Sequence, residues 1–267
     1  MTTKLTYAAM SRFISLLYGT ICYVMFLLVL LYAMGFVGGL PLPKTIDSGT
    51  EGPLAMSIII NLALLSLFAV QHSVMARRGF KRWWTKFVPQ HVERSTFVLM
   101  TNLVLILLFW QWRPIPETVW ATDSDLVATI LLALFWAGWG IVLISTFLID
   151  HFGLFGLRQV ILHFQGKEYP HTKFMMKGLY KWVRHPLMLG FIIAFWATPD
   201  MSVGHLLFAA VTTAYILVAI QIEEKDLVAM HGDHYHEYRR SVSMLFPLRL
   251  GNGGLREPEP STVQSGE

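Results

Sequence analysis

The chain has 267 residues, 54% of them hydrophobic and 14% charged, with a formal net charge of +4. Soluble domains carry roughly a quarter of their residues as charges, so a chain this apolar needs lipid as part of its solvent. The small basic excess sits on no polar domain of the kind that reads nucleic acid, and the single cysteine, Cys22, excludes an intrachain disulfide.

Lys4 and Arg12 precede an uncharged stretch from Phe13 to Pro43. It exceeds the roughly 7–15 apolar residues of a signal peptide, and so predicts a retained membrane helix over 13–36 that holds Cys22 as a small buried hydrophobe. Gly38, Gly39, Pro41 and Pro43 end it. A second uncharged run predicts a helix over 53–75, finishing in Gln71, His72 and Ser73. A basic stretch follows (Arg77, Arg78, Lys81, Arg82, Lys86, Arg94), with Trp83 and Trp84 as interfacial anchors. Helices are predicted over 95–112 and 125–149, separated by a loop with Glu117, Asp123 and Asp125.

Residues 150–186 are more polar, with Asp150, His151, His163 and His171 among six lysines and arginines, Arg158 to Arg184. Two apolar arms follow, 186–198 and 202–222, broken at Thr198-Pro199-Asp200. The first arm is short for a span of about 20 residues. Residues 249–267 are rich in Gly, Pro and Glu without apolar periodicity and are expected to be disordered, which leaves one membrane-embedded domain over 1–248. The expected fold is an all-α integral membrane protein, a bundle of five to six transmembrane helices with a C-terminal helical hairpin. Lys and Arg gather in alternate loops, so the positive-inside rule places both termini in the cytoplasm, with six crossings.

That topology brings ionisable groups from four segments to the cytoplasmic side: His72, Asp150-His151, Arg184-His185 and Glu223-Glu224. Short polar side chains beside membrane spans turn inward to partners or to a cavity, whereas the lysines and Arg158 snorkel to water. The acidic pair beside Arg and His suits a zwitterion, with carboxylates for an ammonium or hydroxyls and Arg for a carboxylate. The alternative, a metal, would draw on Asp233, His231, His234 and His236; their spacing suits solvated residues better, and no metal site is expected. No nucleotide-binding glycine loop and no serine-nucleophile elbow occurs.

These residues carry a resemblance. Arg184-His185-Pro186, an apolar hairpin, Glu223-Glu224, then Gly232, Tyr235 and Tyr238 resemble the pattern of the isoprenylcysteine carboxyl methyltransferase superfamily. QHSVMAR (71–77), ERSTFVL (93–99), DHFGLFGLRQ (150–159), YKWVRHPLMLGF (180–191) and GHLLFAAVTTAYILVAIQIEEKDL (204–227) are similar to its nurim-like branch. The resemblance covers residues 55–247. It departs at Met188, where the carboxyl methyltransferases carry tyrosine two residues after the proline.

The resemblance implies S-adenosylmethionine as methyl donor and a small volatile thiol, methanethiol, as acceptor, with dimethyl sulfide as product, in a bacterial inner membrane. On that reading Tyr180, Arg184, His185, Pro186, Leu189, Gly190, Glu223, Glu224, Tyr235 and Tyr238 hold the cofactor, and Asp150, His151 or His72 takes the proton of the thiol. Rival readings are another acceptor (hydrogen sulfide, another thiol, a prenylcysteine carboxylate), an NADPH-dependent membrane reductase, and a non-catalytic membrane protein.

Overall fold

A computed structural model of the chain describes residues 2–169 and 177–247, with side chains from residue 9 onward. His171 and the segment 249–267, expected to be disordered, lie outside the described residues. In chain order the helices are α1 (Thr2–Val37), α2 (Leu54–Ala76), α3 (Arg78–Trp84), α4 (Gln90–Gln111), α5 (Asp125–Ile149), α6 (His151–Leu154), α7 (Leu157–Phe164), α8 (Pro186–Trp196), α9 (Val203–His231) and α10 (Asp233–Ser241). A 3₁₀ turn over Gly178–Lys181 leads into α8, and two short strands, β1 (Thr118–Ala121) and β2 (Asp200–Ser202), pair antiparallel.

Five helices are long and apolar enough to cross a membrane: α1 from Ala9, α2, α4, α5 and α9. Their outward residues are apolar and uncovered; Leu28, Ile59, Val70 and Leu126 are 61–70% exposed. In water such a surface would aggregate, whereas lipid solvates it. The chain is an integral membrane protein.

Several elements differ from expectation at their ends. The first helix begins at Thr2, because nothing between it and Phe13 breaks a helix. The last long helix runs on to His231, through Glu223 and Glu224, because Glu and Lys are good helix formers and Glu224 is anchored by Arg184. The first hairpin arm is a helix of only 11 residues, Pro186–Trp196. It starts at Pro186, whose fixed φ suits a first helical position, and stops before Pro199.

Two features seal the end of the bundle that bears the strands. Trp112, fully buried, donates its indole N–H to the Ile46 carbonyl at 3.0 Å, among Phe36, Leu108, Phe135, Phe195 and Phe208. Asn61 clamps the backbone of Arg113 in both directions, at 2.7 and 2.9 Å, and the β1–β2 ladder ties the 113–121 segment to the hairpin. The opposite end carries α3, α6, α7, α10 and most of the basic residues, Lys44 and Arg113 excepted, and the polar residues singled out above lie there.

The hairpin is tied at both ends. His205 Nε2 donates to the Phe195 carbonyl at 2.9 Å, and His185 reaches Glu224 at 3.1 Å. At 1.5 Å per residue, His205 and Glu224 lie about 28 Å apart along α9, while Phe195 and His185 lie about 15 Å apart along α8. The Arg184-His185 turn is therefore drawn into the bundle, and Glu224 reaches back to meet it. Close packing on α5 holds α8 there. Gly138 and Gly190 face each other, and a Cβ on either would lie 2.7 Å from a backbone atom of the other helix.

Candidate active site

Glu224 organises the polar end of the hairpin. Its side chain is 3% exposed and accepts from Arg184 Nε at 2.7 Å and His185 Nε2 at 3.1 Å on one oxygen, and from Arg239 Nε at 3.0 Å on the other. A carboxylate only accepts, so His185 carries its proton on Nε2. Arg184 also donates to the carbonyls of Arg239, at 3.1 Å, and Val242. Its backbone N–H bonds the Ser243 carbonyl at 2.8 Å, and the His185 N–H bonds Met244 O at 3.1 Å. The segment after α10 is thereby stitched to the turn before α8.

Gly232 takes φ +55°, a conformation glycine adopts without penalty, and reverses the chain into α10. Tyr235 and Tyr238, three residues apart on that helix, turn inward, with ring centroids 5.7 Å apart. The Tyr238 hydroxyl donates to the Tyr180 carbonyl at 2.6 Å. Burial raises all three phenols above their ordinary value, with Glu223 adding to the shift at Tyr180, and they stay protonated. His234 and His236, on the outer face of the same helix, are exposed.

Glu223 differs from its neighbour. Its side chain is half exposed, and its Oε2 stands 3.7 Å from His185 Nδ1, too far for a hydrogen bond. Arg77, at the end of α2, pairs with Asp226 at 2.9 Å and lies within electrostatic reach of Glu223. This carboxylate has positive neighbours but no hydrogen-bond partner among the described residues, and half of it is exposed.

Asp150, His151 and His72 make other contacts. Asp150 caps α6 by accepting from Gly153 N at 3.1 Å, and pairs with Arg158 at 2.8 Å. The Tyr169 hydroxyl donates to it at 3.4 Å. His151 is 3% exposed, stacked on Phe147, and bound at both ring nitrogens: Nε2 to the Tyr23 hydroxyl at 2.9 Å and Nδ1 to Thr146 Oγ1 at 2.8 Å. Thr146 donates its own proton to Leu143 O at 2.7 Å, so Nδ1–H donates to Thr146 and Nε2 accepts from Tyr23. Burial lowers this imidazole against the opposing effect of Asp150, which keeps it neutral near pH 7.

His72, on α2, lies between Phe68 at 5.4 Å and Phe97 at 5.1 Å, and its Nδ1 is buried without a hydrogen-bond partner. Nearby, Gln71 Oε1 is also unpartnered. Arg94, whose Nε donates to the Leu154 carbonyl at 2.6 Å, lies within electrostatic reach of both His72 and Tyr169. The structure thus joins Tyr180, Arg184, His185, Glu223, Glu224, Tyr235 and Tyr238 in one polar knot. Asp150 and His151 stand in a second group and His72 in a third, with Arg94 between these two.

Pro186, Leu189 and Gly190 have packing duties. Pro186 starts α8, Leu189 joins the apolar cluster of Ile216, Ile220 and Leu245, and Gly190 lies against α5. Sequence reasoning missed Arg239, Tyr23 and Thr146, the partners that fix Glu224 and His151. Arg239 directly follows Tyr238, and that adjacency was its only signal; Tyr23 and Thr146 sit in apolar runs that show none.

No family model and no solved structure matches this chain. It is similar to the methanethiol S-methyltransferase of Mycobacterium tuberculosis, 55% identical over 238 residues that cover 89% of this chain and 98% of the relative. Methanethiol S-methyltransferase 2 of Bradyrhizobium diazoefficiens is 56% identical over 253 residues, 94% of this chain and 97% of that protein. Nurim from Bos taurus is 28% identical over 182 residues, 65% of this chain and 69% of that protein.

Proposed function

The chain belongs to the methanethiol S-methyltransferase family, and we propose that it methylates methanethiol to dimethyl sulfide with S-adenosylmethionine as donor. The observation that carries the cofactor assignment is the contrast within the acidic pair: Glu224 saturated by Arg184, His185 and Arg239, and Glu223 half exposed beside it. The donor set fits the cofactor. Glu223 would take its ammonium or ribose hydroxyls, and the partly exposed ring of Tyr180 suits a cation, while Tyr235 and Tyr238 are buried and support the turn from within. Bound there, S-adenosylmethionine supplies an electrophilic methyl group on a cationic sulfur.

The protein's own tasks are alignment, exclusion of water and removal of the thiol proton, since the thiolate is the nucleophile. Asp150 and His151 have their hydrogen-bonding capacity taken by protein partners, so both act as positioning residues. His72, with a buried nitrogen lacking a partner, is the base. The basic end faces the cytoplasm of a bacterial inner membrane, where the cofactor is made, in accord with the positive-inside rule.

The test is to incubate purified protein in detergent with methyl-labelled S-adenosylmethionine and methanethiol, then analyse the headspace. Labelled dimethyl sulfide is expected, with hydrogen sulfide a poorer acceptor. Folded protein that binds the cofactor yet labels no thiol would overturn the reading.

A further inference from the structure

A groove runs between α2 and α9 on the membrane-facing side of the bundle. Leu65, Phe68 and Ala69 of α2 line it with Val211, Thr212 and Tyr215 of α9. It is a shallow cleft of about 70 Å³, open to the exterior along one side. Its flanks are lipid-facing, with Val70 61% and Val218 59% exposed. Thr212 donates its hydroxyl proton to the Phe208 carbonyl, and Tyr215 is bonded to Ser73 at 3.2 Å, so the walls present mostly carbon. Phe68 closes the inner end. Its ring stacks on His72 and meets the ring of Tyr215 at 6.0 Å.

We propose that this groove is the binding site and lateral entry of the methyl acceptor, a small uncharged thiol arriving from the membrane hydrocarbon, with Phe68 limiting its size. The inference rests on the methyltransferase reading above. An apolar cleft open to lipid would concentrate a lipid-soluble thiol and reject charged ones, for which it holds no counter-ion. Behind Phe68, one turn further along α2 and outside the lining of the groove itself, lies the buried, unpartnered His72 Nδ1, an acceptor that an S–H passing the Phe68 ring can fill. There the S–H bond breaks, the proton passes to Nδ1 of the neutral imidazole and the electron pair stays on sulfur. The imidazole must give that proton up to water before the next turnover.

Two substitutions change the groove in opposite senses. Ala69→Leu should raise the KM for methanethiol about tenfold, the scale of a methylene-sized misfit, and leave the KM and the calorimetric affinity for S-adenosylmethionine unchanged. Phe68→Ala should raise kcat/KM for propanethiol relative to methanethiol by about tenfold. Saturation-transfer NMR of dimethyl sulfide with cofactor-free protein should show binding above that of empty micelles, and Ala69→Leu should abolish it. If wild-type protein turns over while both variants keep its thiol KM and selectivity, the groove is not the acceptor site. Should wild-type protein form no dimethyl sulfide, the methyltransferase reading falls, and the NMR result alone then decides whether the groove holds a small sulfur ligand.

Discussion

Glu224 gives both oxygens to protein partners, while Glu223, its neighbour in the chain, keeps its carboxylate half exposed. Their substitutions should therefore separate. Glu224→Gln leaves Arg184, 8% exposed at its side chain, without its counter-ion, and loss of one partner of a buried pair costs about 3–5 kcal/mol. A large fall in Tm is expected, together with loss of cofactor binding. Glu223→Gln should keep the wild-type Tm and weaken S-adenosylmethionine by about ten- to a hundredfold, the worth of a hydrogen bond to a charged group, in a calorimetric titration. Unchanged affinity in Glu223→Gln removes that residue from the cofactor site.

His151 makes a second prediction at this scale. Its imidazole is lowered below the ordinary 6.5 by burial. Below pH 6.5 the unfolded chain therefore binds more protons than the folded protein, so stability falls as pH drops through 6.5 and levels off beneath the folded value. Between about pH 7.5 and 5.5 the Tm of wild-type protein should fall more steeply than that of His151→Gln. Equal slopes would show that the Tyr23–His151–Thr146 chain does not carry this dependence.

At the scale of elements, the contact between α5 and α8 sets where the polar knot can form. Gly138 and Gly190 let the two backbones touch, and a Cβ at Gly138 would lie 2.7 Å from both Ala194 N and Gly190 O. Gly138→Ala must push α8 outward. Overpacking of this kind costs about 1–3 kcal/mol, and because α8 begins beside His185, cofactor affinity should fall along with Tm. Gly140, with open space around its missing Cβ, is the control. Gly140→Ala should leave affinity intact and leave Tm level or slightly raised, by the roughly 0.5–1 kcal/mol preference of a helix for alanine. Equal behaviour of the two variants would mean that α8 does not depend on this contact. The uncharged runs marked the long helices well, since lipid leaves few alternatives for about 20 consecutive apolar residues. They marked the ends poorly. The last turns of α9 carry Glu223, Glu224, Lys225 and Asp226, which hydropathy reads as loop; Glu and Lys favour helix, and ion pairs to Arg184, Arg239 and Arg77 anchor Glu224 and Asp226.

The whole molecule has one closed end and one polar end. At the closed end Trp112, the Asn61 clamp and the β1–β2 ladder leave the backbone well partnered. At the other, the half-exposed Glu223 faces outward beside the buried Glu224 and its arginines. That asymmetry suits a water-borne cofactor reaching the polar end and an apolar acceptor arriving through the flank. By itself the sequence determined the solvent of this protein, the run of its long helices and the side on which its ionisable residues collect. Those properties follow from local composition, because transfer into lipid depends on the residues of one segment at a time. Only the tertiary structure decided which of those residues are satisfied and which are free. Glu223 and Glu224 read alike in the chain, as do His72 and His151, and what tells them apart is partners from distant helices: Arg239, Tyr23 and Thr146. A side chain's remaining capacity to bind a ligand depends on how helices far apart in the chain are rotated and packed, and no local pattern encodes that.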